Sequence, residues 1–314
     1  MKAVAIHAFG GPELLAVTDL PRPKTERGEV LIRTLAAGVN PVDWKIREGR
    51  LFPAVPHGFP LIPGWDVAGV VEELGEGCQR FRKGDRVFAY ARKPHIQWGT
   101  YAEYVAIPER HVALMPSSLL FEEAAAIPCA ALTAQQALAR AGLAAGGVLL
   151  VLNGSGGVGH FALQLAKIVG ARSIATAGPL NQEFVMSQGA EAAIDHTRNE
   201  LARVVSERFP EGVDVVLDAI GGAPLAESPA FVKPGGVIVS VVDTLDLATV
   251  KARGIRFERV SSVPSGEQLA VFAAQAGRKK LRPHVQTIFP LADAQRAQEL
   301  SQAGHVRGKL VLAL

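Results

Sequence analysis

Cysteine is nearly absent from this chain, with Cys78 and Cys129 the two residues among 314. Two thiols cannot build a disulfide framework, and they fit a reducing, cytoplasmic compartment. Long apolar runs are missing too: none approaches the ~20 residues that span a bilayer, so no membrane partner is expected. The opening MKAVAIHAFGG is broken by His7 and two glycines before any apolar core forms, so it does not read as a secretory signal. Charge of one sign is also lacking. The formal net charge is +3, and the densest basic cluster is Arg278, Lys279 and Lys280, which reads as a solvated helix end. Nucleic acid is therefore not expected as a partner. Repeats and low-complexity tracts are absent.

Short extended runs fill the first 120 residues. KAVAIH, GEVLIRTLAAG, WDVAGVVEEL, DRVFAY and TYAEYVAI read as strands, separated by PRPKTERG, HGFPLIPG and RFRKGD. Many short strands with turn chemistry between them point to a compact β domain, partly closed. Near Phe121 the pattern changes to FEEAAAIPCAALTAQQALARAGL, apolar at helical spacing and divided by Pro128.

Strands and helices then alternate. GVLLVLN is a continuous apolar run, as expected of a strand buried on both faces. HFALQLAKIVG follows as a helix stopped by Gly170, and SIATA, AAIDH, VDVVLDAI, GVIVSVV and IRFERV supply further strands. Six strands alternating with helices predict an α/β fold with a doubly wound, parallel, six-stranded sheet. The boundaries read from the pattern are 1–122, 123–261 and 262–314, the last segment returning to the first.

The stretch NGSGGVGH lies between strand and helix, and Gly154, Gly156 and Gly159 match G-x-G-x-x-G. In that setting the first glycine permits a tight turn, the second lets backbone approach a pyrophosphate, and the third lets the helix sit close to the strand. Helix-start N–H groups and the helix dipole then favour the phosphates. No Gly-Lys-Ser/Thr follows, which argues against a nucleoside triphosphatase. An NAD site places an acidic residue ~20 residues on, at the end of the second strand. Here SIATA is followed by Gly178, Pro179, Leu180 and Asn181, without a carboxylate. That absence removes repulsion against a 2′-phosphate and favours NADP(H). His196 closes the next strand and reads either as a partner for that phosphate or as an ordinary strand-end histidine.

AAGVNPVDWKIREG, IPGWDVAGVVEELGEG, FRKGDRVF, GTYAEYV, EEAAAIPCAALTAQQAL, GSGGVG, KPGG, LRPHV and GHVRGKLVL occur in this order. Together they resemble the medium-chain dehydrogenase/reductase superfamily, in its zinc-free quinone oxidoreductase (zeta-crystallin-like) branch, across essentially the whole chain. The resemblance implies a GroES-like β-rich catalytic domain, an inserted Rossmann domain, a C-terminal return, and an active site in the cleft between the two domains. It also suggests a homodimer, with the strand near Ile255 to Val260 as the edge.

Zinc-dependent relatives carry Cys where this chain has Asn40, and a His-Glu pair where it has Trp65-Asp66. Cys129 falls where a third zinc thiolate would stand. One thiol without its partners makes no metal site, so Cys129 reads as a small buried residue or as a reactive thiol. Without a Lewis acid, the implied reaction is hydride transfer from NADPH to a quinone or an α,β-unsaturated carbonyl compound. Carried over by position, Asn40 is a polar group beside nicotinamide and acceptor, and Lys45 is a cleft donor or a solvated rim charge. Asp43 is a recurring acid with a structural or catalytic role, and Thr133 faces the nicotinamide. Gly154, Ser155, Gly156, Gly157, Val158 and Gly159 form the pyrophosphate cradle. Ser240 and Val241 border the nicotinamide ribose, and Gly178 and His196 lie on the 2′-phosphate side, where Ser and Tyr are frequent. Trp44, Phe52, Trp65, Tyr90 and Trp98 are candidates for an apolar wall. The alternative function is an NADPH-binding protein with a redox-sensing or nucleic-acid-binding role.

Overall fold

The computed structural model describes residues 1–198 and 201–314. The chain divides into two compact units, Met1–Leu132 with Val263–Leu314, and Thr133–Ser262. The first unit opens with β1 (Lys2–Ala5), β2 (Ala16–Asp19) and β3 (Glu29–Val39), then helix α1 (Pro41–Arg47). There follow β4 (His57–Ile62), β5 (Asp66–Leu74), β6 (Arg86–Tyr90), β7 (Ile96–Trp98), β8 (Tyr104–Pro108) and β9 (Val112–Leu114). Helix α2 (Phe121–Ala125) stops short of Pro128, which opens α3 (Pro128–Ala141), because a proline is tolerated in a first helical turn and not in a helix interior.

The second unit alternates strictly. Its strands are β10 (Val148–Leu152), β11 (Arg172–Ala177), β12 (Ala192–Asp195), β13 (Val213–Asp218), β14 (Val232–Ser240) and β15 (Arg256–Arg259). Between them run α4 (Gly157–Val169), α5 (Gln182–Gln188), α6 (Leu201–Arg208), α7 (Gly222–Glu227) and α8 (Leu247–Ala252). The strand order is β12-β11-β10-β13-β14-β15, every pairing parallel. This is the doubly wound dinucleotide-binding order, in which ligands bind beyond the carboxyl ends of the strands where the order reverses. Leu149 to Leu152 are fully buried, as a central strand covered on both faces requires.

The chain then returns to the first unit as α9 (Gly266–Gly277), β16 (Val285–Pro290), α10 (Ala294–Ala303) and β17 (Lys309–Ala313). The main sheet there runs β16-β17-β3-β5-β6-β9. Strand β3 is its hub. One edge pairs with β5, while the other pairs first with β8 through Glu29–Arg33 and then with β17 through Ala36–Val39. Val30, Ile32, Val67, Val87, Val105 and Ile107 form the core beneath it.

Several elements depart from the sequence reading, which also has no strand at β2, β7 or β9. HGFPLIPG, read as a separator, contains β4, which pairs with β7. The short period and the proline there hide a strand on a two-stranded edge ribbon. Strand β16 lies in a segment with little apolar alternation. Helix α1 was also not foreseen. Its signal is the cap: Asn40 precedes Pro41 at the first helical position, and Asp43 stands three residues on.

Candidate active site

The second unit carries the glycine loop. Strand β10 is followed by Asn153, whose φ of 69° reverses the chain, and α4 begins at Gly157 with Gly156 as its cap. A Cβ on Gly159 would stand 2.1 Å from the Asn153 carbonyl oxygen and 2.8 Å from Gly154 Cα, so helix and strand approach at van der Waals limit. One on Gly154 would meet Ala175 Cβ at 2.5 Å. The first-turn N–H groups of Gly157, Val158 and Gly159 have no preceding turn to donate to, so they are available to an anion. Ser155 is buried in the turn itself. Asn153 N–H donates to Thr176 Oγ1 (3.0 Å) and Gly154 N–H to the Thr176 carbonyl (2.8 Å), tying the loop to β11.

At the end of β11, Gly178 is extended, with φ −68° and ψ 164°. Its neighbour across the sheet edge is His196, the first residue after β12. Gln182 Nε2 donates to the carbonyls of Ala177 and Gly178, tying the start of α5 to this strand end. Asp195 is already engaged. Its carboxylate accepts from the N–H and hydroxyl of Thr197, and Arg198 Nε lies 3.4 Å away. Those hydrogen bonds and that charge hold the carboxyl below its ordinary value. Arg198, which the sequence reading did not select, shares the short turn His196–Arg198 with His196. The glycine turn, the helix start and a strand end without a carboxylate fit NADP(H).

Thr133, Ser240 and Val241 are each held by hydrogen bonds within the second unit. Thr133 Oγ1 donates to Ser262 Oγ at 2.8 Å. Ser240 Oγ donates to Asp218 Oδ2 at 2.7 Å and accepts from the N–H groups of Val242 and Asp243. Val241 N–H donates to the Asp218 carbonyl. Asp218 also accepts from Ile220 and Gly221. It fixes the turns after both β13 and β14, a role its sequence position at a strand end does not advertise.

The first unit carries a buried polar network around Asn40. Asn40 caps α1, and its N–H donates to Asp43 Oδ2 at 2.8 Å. The Asn40 amide Nδ2 donates to Asp66 Oδ2 at 2.9 Å. Lys309 Nζ donates to Asn40 Oδ1 and to the Val39 carbonyl, and lies 3.5 Å from Asp66 Oδ2. Asp66 Oδ1 accepts from Cys129 N–H at 2.7 Å, and Asp43 Oδ2 accepts from Tyr101 OH at 2.9 Å. All these side chains are buried except that of Cys129, which is half-buried. Burial pushes the Asp43 carboxyl up to about 7 and raises that of Asp66. It also pushes the Cys129 thiol up to about 12, with the nearby Asp66 carboxylate acting in the same direction.

Lys45 sits in the last turn of α1 with its ammonium over the Trp44 ring, 5.4 Å from the centroid. Arg47, fully buried, anchors the helix to α10 by donating to Gln298 and Gln302. The five aromatic candidates fall into separate groups. Trp65 and Tyr90 meet edge-on at 5.9 Å, Phe52 stacks on Phe9 at 4.7 Å, and Trp44 packs with Lys45 and Arg50. Trp98 is exposed on β7.

Two family models match. "Alcohol dehydrogenase GroES-like domain" covers residues 26–117 and "Zinc-binding dehydrogenase" covers 188–312. The chain is 36% identical to an NADPH-dependent alkenal/one oxidoreductase of Arabidopsis thaliana, over 99% of this chain and 79% of that protein. It is 32% identical to a quinone oxidoreductase of Sus scrofa, over 100% and 98% of the two. Among solved structures, the Escherichia coli quinone oxidoreductase complexed with NADPH matches with a TM-score of 0.90 at 26% identity, covering all of both chains. The chain belongs to the medium-chain dehydrogenase/reductase family, whose GroES-like and Rossmann folds are those described above.

The second model's name raises zinc. The residues around Asn40 do not fit that ion: Asn40 is a neutral amide, and the Lys309 cation already faces Asp66, 3.5 Å from its Oδ2. Among the described residues, no three His, Cys, Asp or Glu side chains converge as a catalytic zinc requires.

Proposed function

We propose that this chain is an NADPH-dependent, zinc-independent reductase of quinones and α,β-unsaturated carbonyl compounds. The observation that carries it is the β11 end, where Gly178 and His196 stand in place of an acidic residue beside a complete glycine turn. The relatives' names agree, being those of NADPH-dependent alkenal/one and quinone oxidoreductases.

NADPH, when bound, supplies the hydride. The chain's own residues bind and orient. Gly154, Ser155, Gly156, Gly157, Val158 and Gly159 hold the pyrophosphate, and Gly178 and His196 admit the 2′-phosphate. Thr133, on α3, faces the nicotinamide, and Ser240 and Val241 at the end of β14 border its ribose. Asn40 offers an amide N–H to the acceptor oxygen as negative charge moves onto it, and fixed donors of this kind stabilise such charge without reorganising. Lys45 adds positive charge at the rim. The reading extends to a homodimer formed through β15, the outer strand of its sheet, and to the cytoplasm, where two free thiols remain reduced.

The test is loss of NADPH absorbance with a benzoquinone, phenanthrenequinone or small enone as acceptor, with NADH and a chelator as controls. Saturable, chelator-insensitive turnover that prefers NADPH is expected. Tight NADPH binding without turnover on any acceptor overturns the reductase reading and leaves a binding role.

A further inference from the structure

The Asn40 amide is held at both ends. Its oxygen accepts from the Lys309 ammonium, and its nitrogen donates to Asp66. A primary amide has two N–H donors. Among the described residues the second N–H of Asn40 meets no acceptor. An amide flip would set the NH2 against the ammonium and the carbonyl against the carboxylate, two repulsive contacts in a site where charges are weakly screened. The orientation is therefore locked by two opposite charges.

We infer that Lys309 is a positioning residue, whose buried ammonium fixes the orientation of the Asn40 amide and leaves its second N–H as a donor. The inference rests on the reading above, in which Asn40 faces the acceptor, and it refines the substrate class. A site locked as a donor takes an oxygen that accepts: the carbonyl of an enone or quinone, on which negative charge grows during hydride transfer. Lys309 has no surface from which to touch a substrate, being 3% exposed. Its neighbours account for its position. It donates to the Val39 carbonyl at 2.9 Å and faces Asp66 at 3.5 Å, while β17 holds its backbone against β16 and, from the next residue on, against β3.

A double-mutant cycle separates this from simple structural support. Asn40→Ala should lower kcat by about 10²-fold, the typical cost of one oxyanion donor. Lys309→Met should lower kcat by a comparable factor of about 10² through misplacement of that donor, with the NADPH Kd, read by fluorescence, within about twofold. In the Asn40→Ala background, Lys309→Met should cost no more than about threefold further, because the two residues act as a unit. Additive losses overturn the inference.

Lys309→Met leaves Asp66 buried without its cation, so Asp66→Asn with Lys309→Met serves as the folded control. It should regain thermal stability and remain slow. A fast, stable double variant overturns the inference as well.

A second readout is independent of turnover. Asparagine occurs at four positions, 40, 153, 181 and 199, so the Asn40 side-chain amide can be assigned in protein labelled at asparagine. Its Nδ2 protons should exchange with solvent at least about tenfold faster in Lys309→Met, as a lost local hydrogen-bond network allows. Unchanged exchange means that Lys309 does not hold the amide. If instead Asn40→Ala turns over normally while exchange still responds to Lys309, the lock stands and the assignment of Asn40 to the acceptor falls.

Discussion

Gly178 faces His196: a Cβ on the glycine would lie 3.7 Å from the imidazole Nε2, and among the described residues no other atom beyond its own chain neighbours comes within 4 Å. That gap sits at the end of β11, where the ribose hydroxyl of an NAD would meet a carboxylate. The backbone at Gly178 is extended, so a side chain can be added there without strain. Gly178→Asp should therefore lower kcat/KM for NADPH by about 10- to 100-fold and narrow or reverse the preference over NADH, through like-charge repulsion. The ratio of kcat/KM values for the two cofactors checks it, and an unchanged ratio removes this strand end from the recognition of the 2′-phosphate.

The glycine turn should respond unequally to added methyl groups. At Gly159 the new Cβ meets backbone, the Asn153 oxygen at 2.1 Å, whereas at Gly156 it meets the Asn153 side chain at 2.8 Å. A side chain can turn aside more easily than backbone can. Gly159→Ala should cost about 1–3 kcal/mol of stability, as overpacking does, and should weaken NADPH binding at least tenfold. Gly156→Ala should fold normally and lose affinity alone. Equal melting temperatures for the two variants would contradict this ordering.

Two buried groups pull the pH dependence of stability in opposite directions. Burial raises Asp43 from 3.8 to about 7, so between those values the folded chain binds a proton that the unfolded chain has released. The stability Asp43 contributes is greatest below its unfolded pKa and declines as the pH rises through 7. Burial, with help from Arg110 and Lys93, lowers His111 from 6.5 to about 4. There the unfolded chain binds the extra proton, so stability is lost as pH falls from 6.5 toward 4. Relative to the parent, Asp43→Asn should steepen the rise in stability between pH 4 and 7, and His111→Gln should flatten it. Denaturant titrations across that range separate the two, and parallel profiles would mean that neither group is shifted.

Cys129 should be a poor nucleophile despite being half-buried. With its thiol pushed up to about 12, the thiolate fraction at neutral to mildly alkaline pH is about 10³-fold below that of an ordinary cysteine, and the thiolate is the reactive form. Alkylation followed by mass spectrometry should find Cys129 essentially unmodified in the native protein and both cysteines modified after denaturation. Rapid native labelling would revive a redox role.

The fold was legible where the signal is local. GVLLVLN, NGSGGVGH and the helix after it announce a strand, a turn and a cradle within about twenty residues, because burial on both faces and close backbone approach each leave a mark in composition. The terminal strand KLVLAL was equally plain as a strand, yet its first residue carried no hint of a role. Lys309 meets Asn40 across 269 positions and Asp66 meets Asn40 across 26. No periodicity records such a meeting, since it is created by β17 settling beside β3. Asp66 and Asp218 were hidden for a related reason. Each ends or begins a strand, as many acids do, and only the hydrogen bonds they collect distinguish them. Helix α1 lay between these cases, readable from its cap but too short for periodicity.

The pairing of β17 with β3 also governs the order in which the molecule can assemble. The parallel sheet is drawn from one uninterrupted stretch, Thr133–Ser262, whereas the other unit must join two segments that this stretch keeps apart. Contacts between neighbours in sequence form early, and contacts across long loops form late. Chain elongation, which proceeds from the N-terminus, sharpens the difference. A nascent chain that has emerged through Ser262 holds every strand of the dinucleotide sheet, while β3 still lacks β17 and Asn40 lacks its cation. The nucleotide-binding fold should thus be in place before the residues around Asn40 are complete, and a slow folding phase should belong to the arrival of β17.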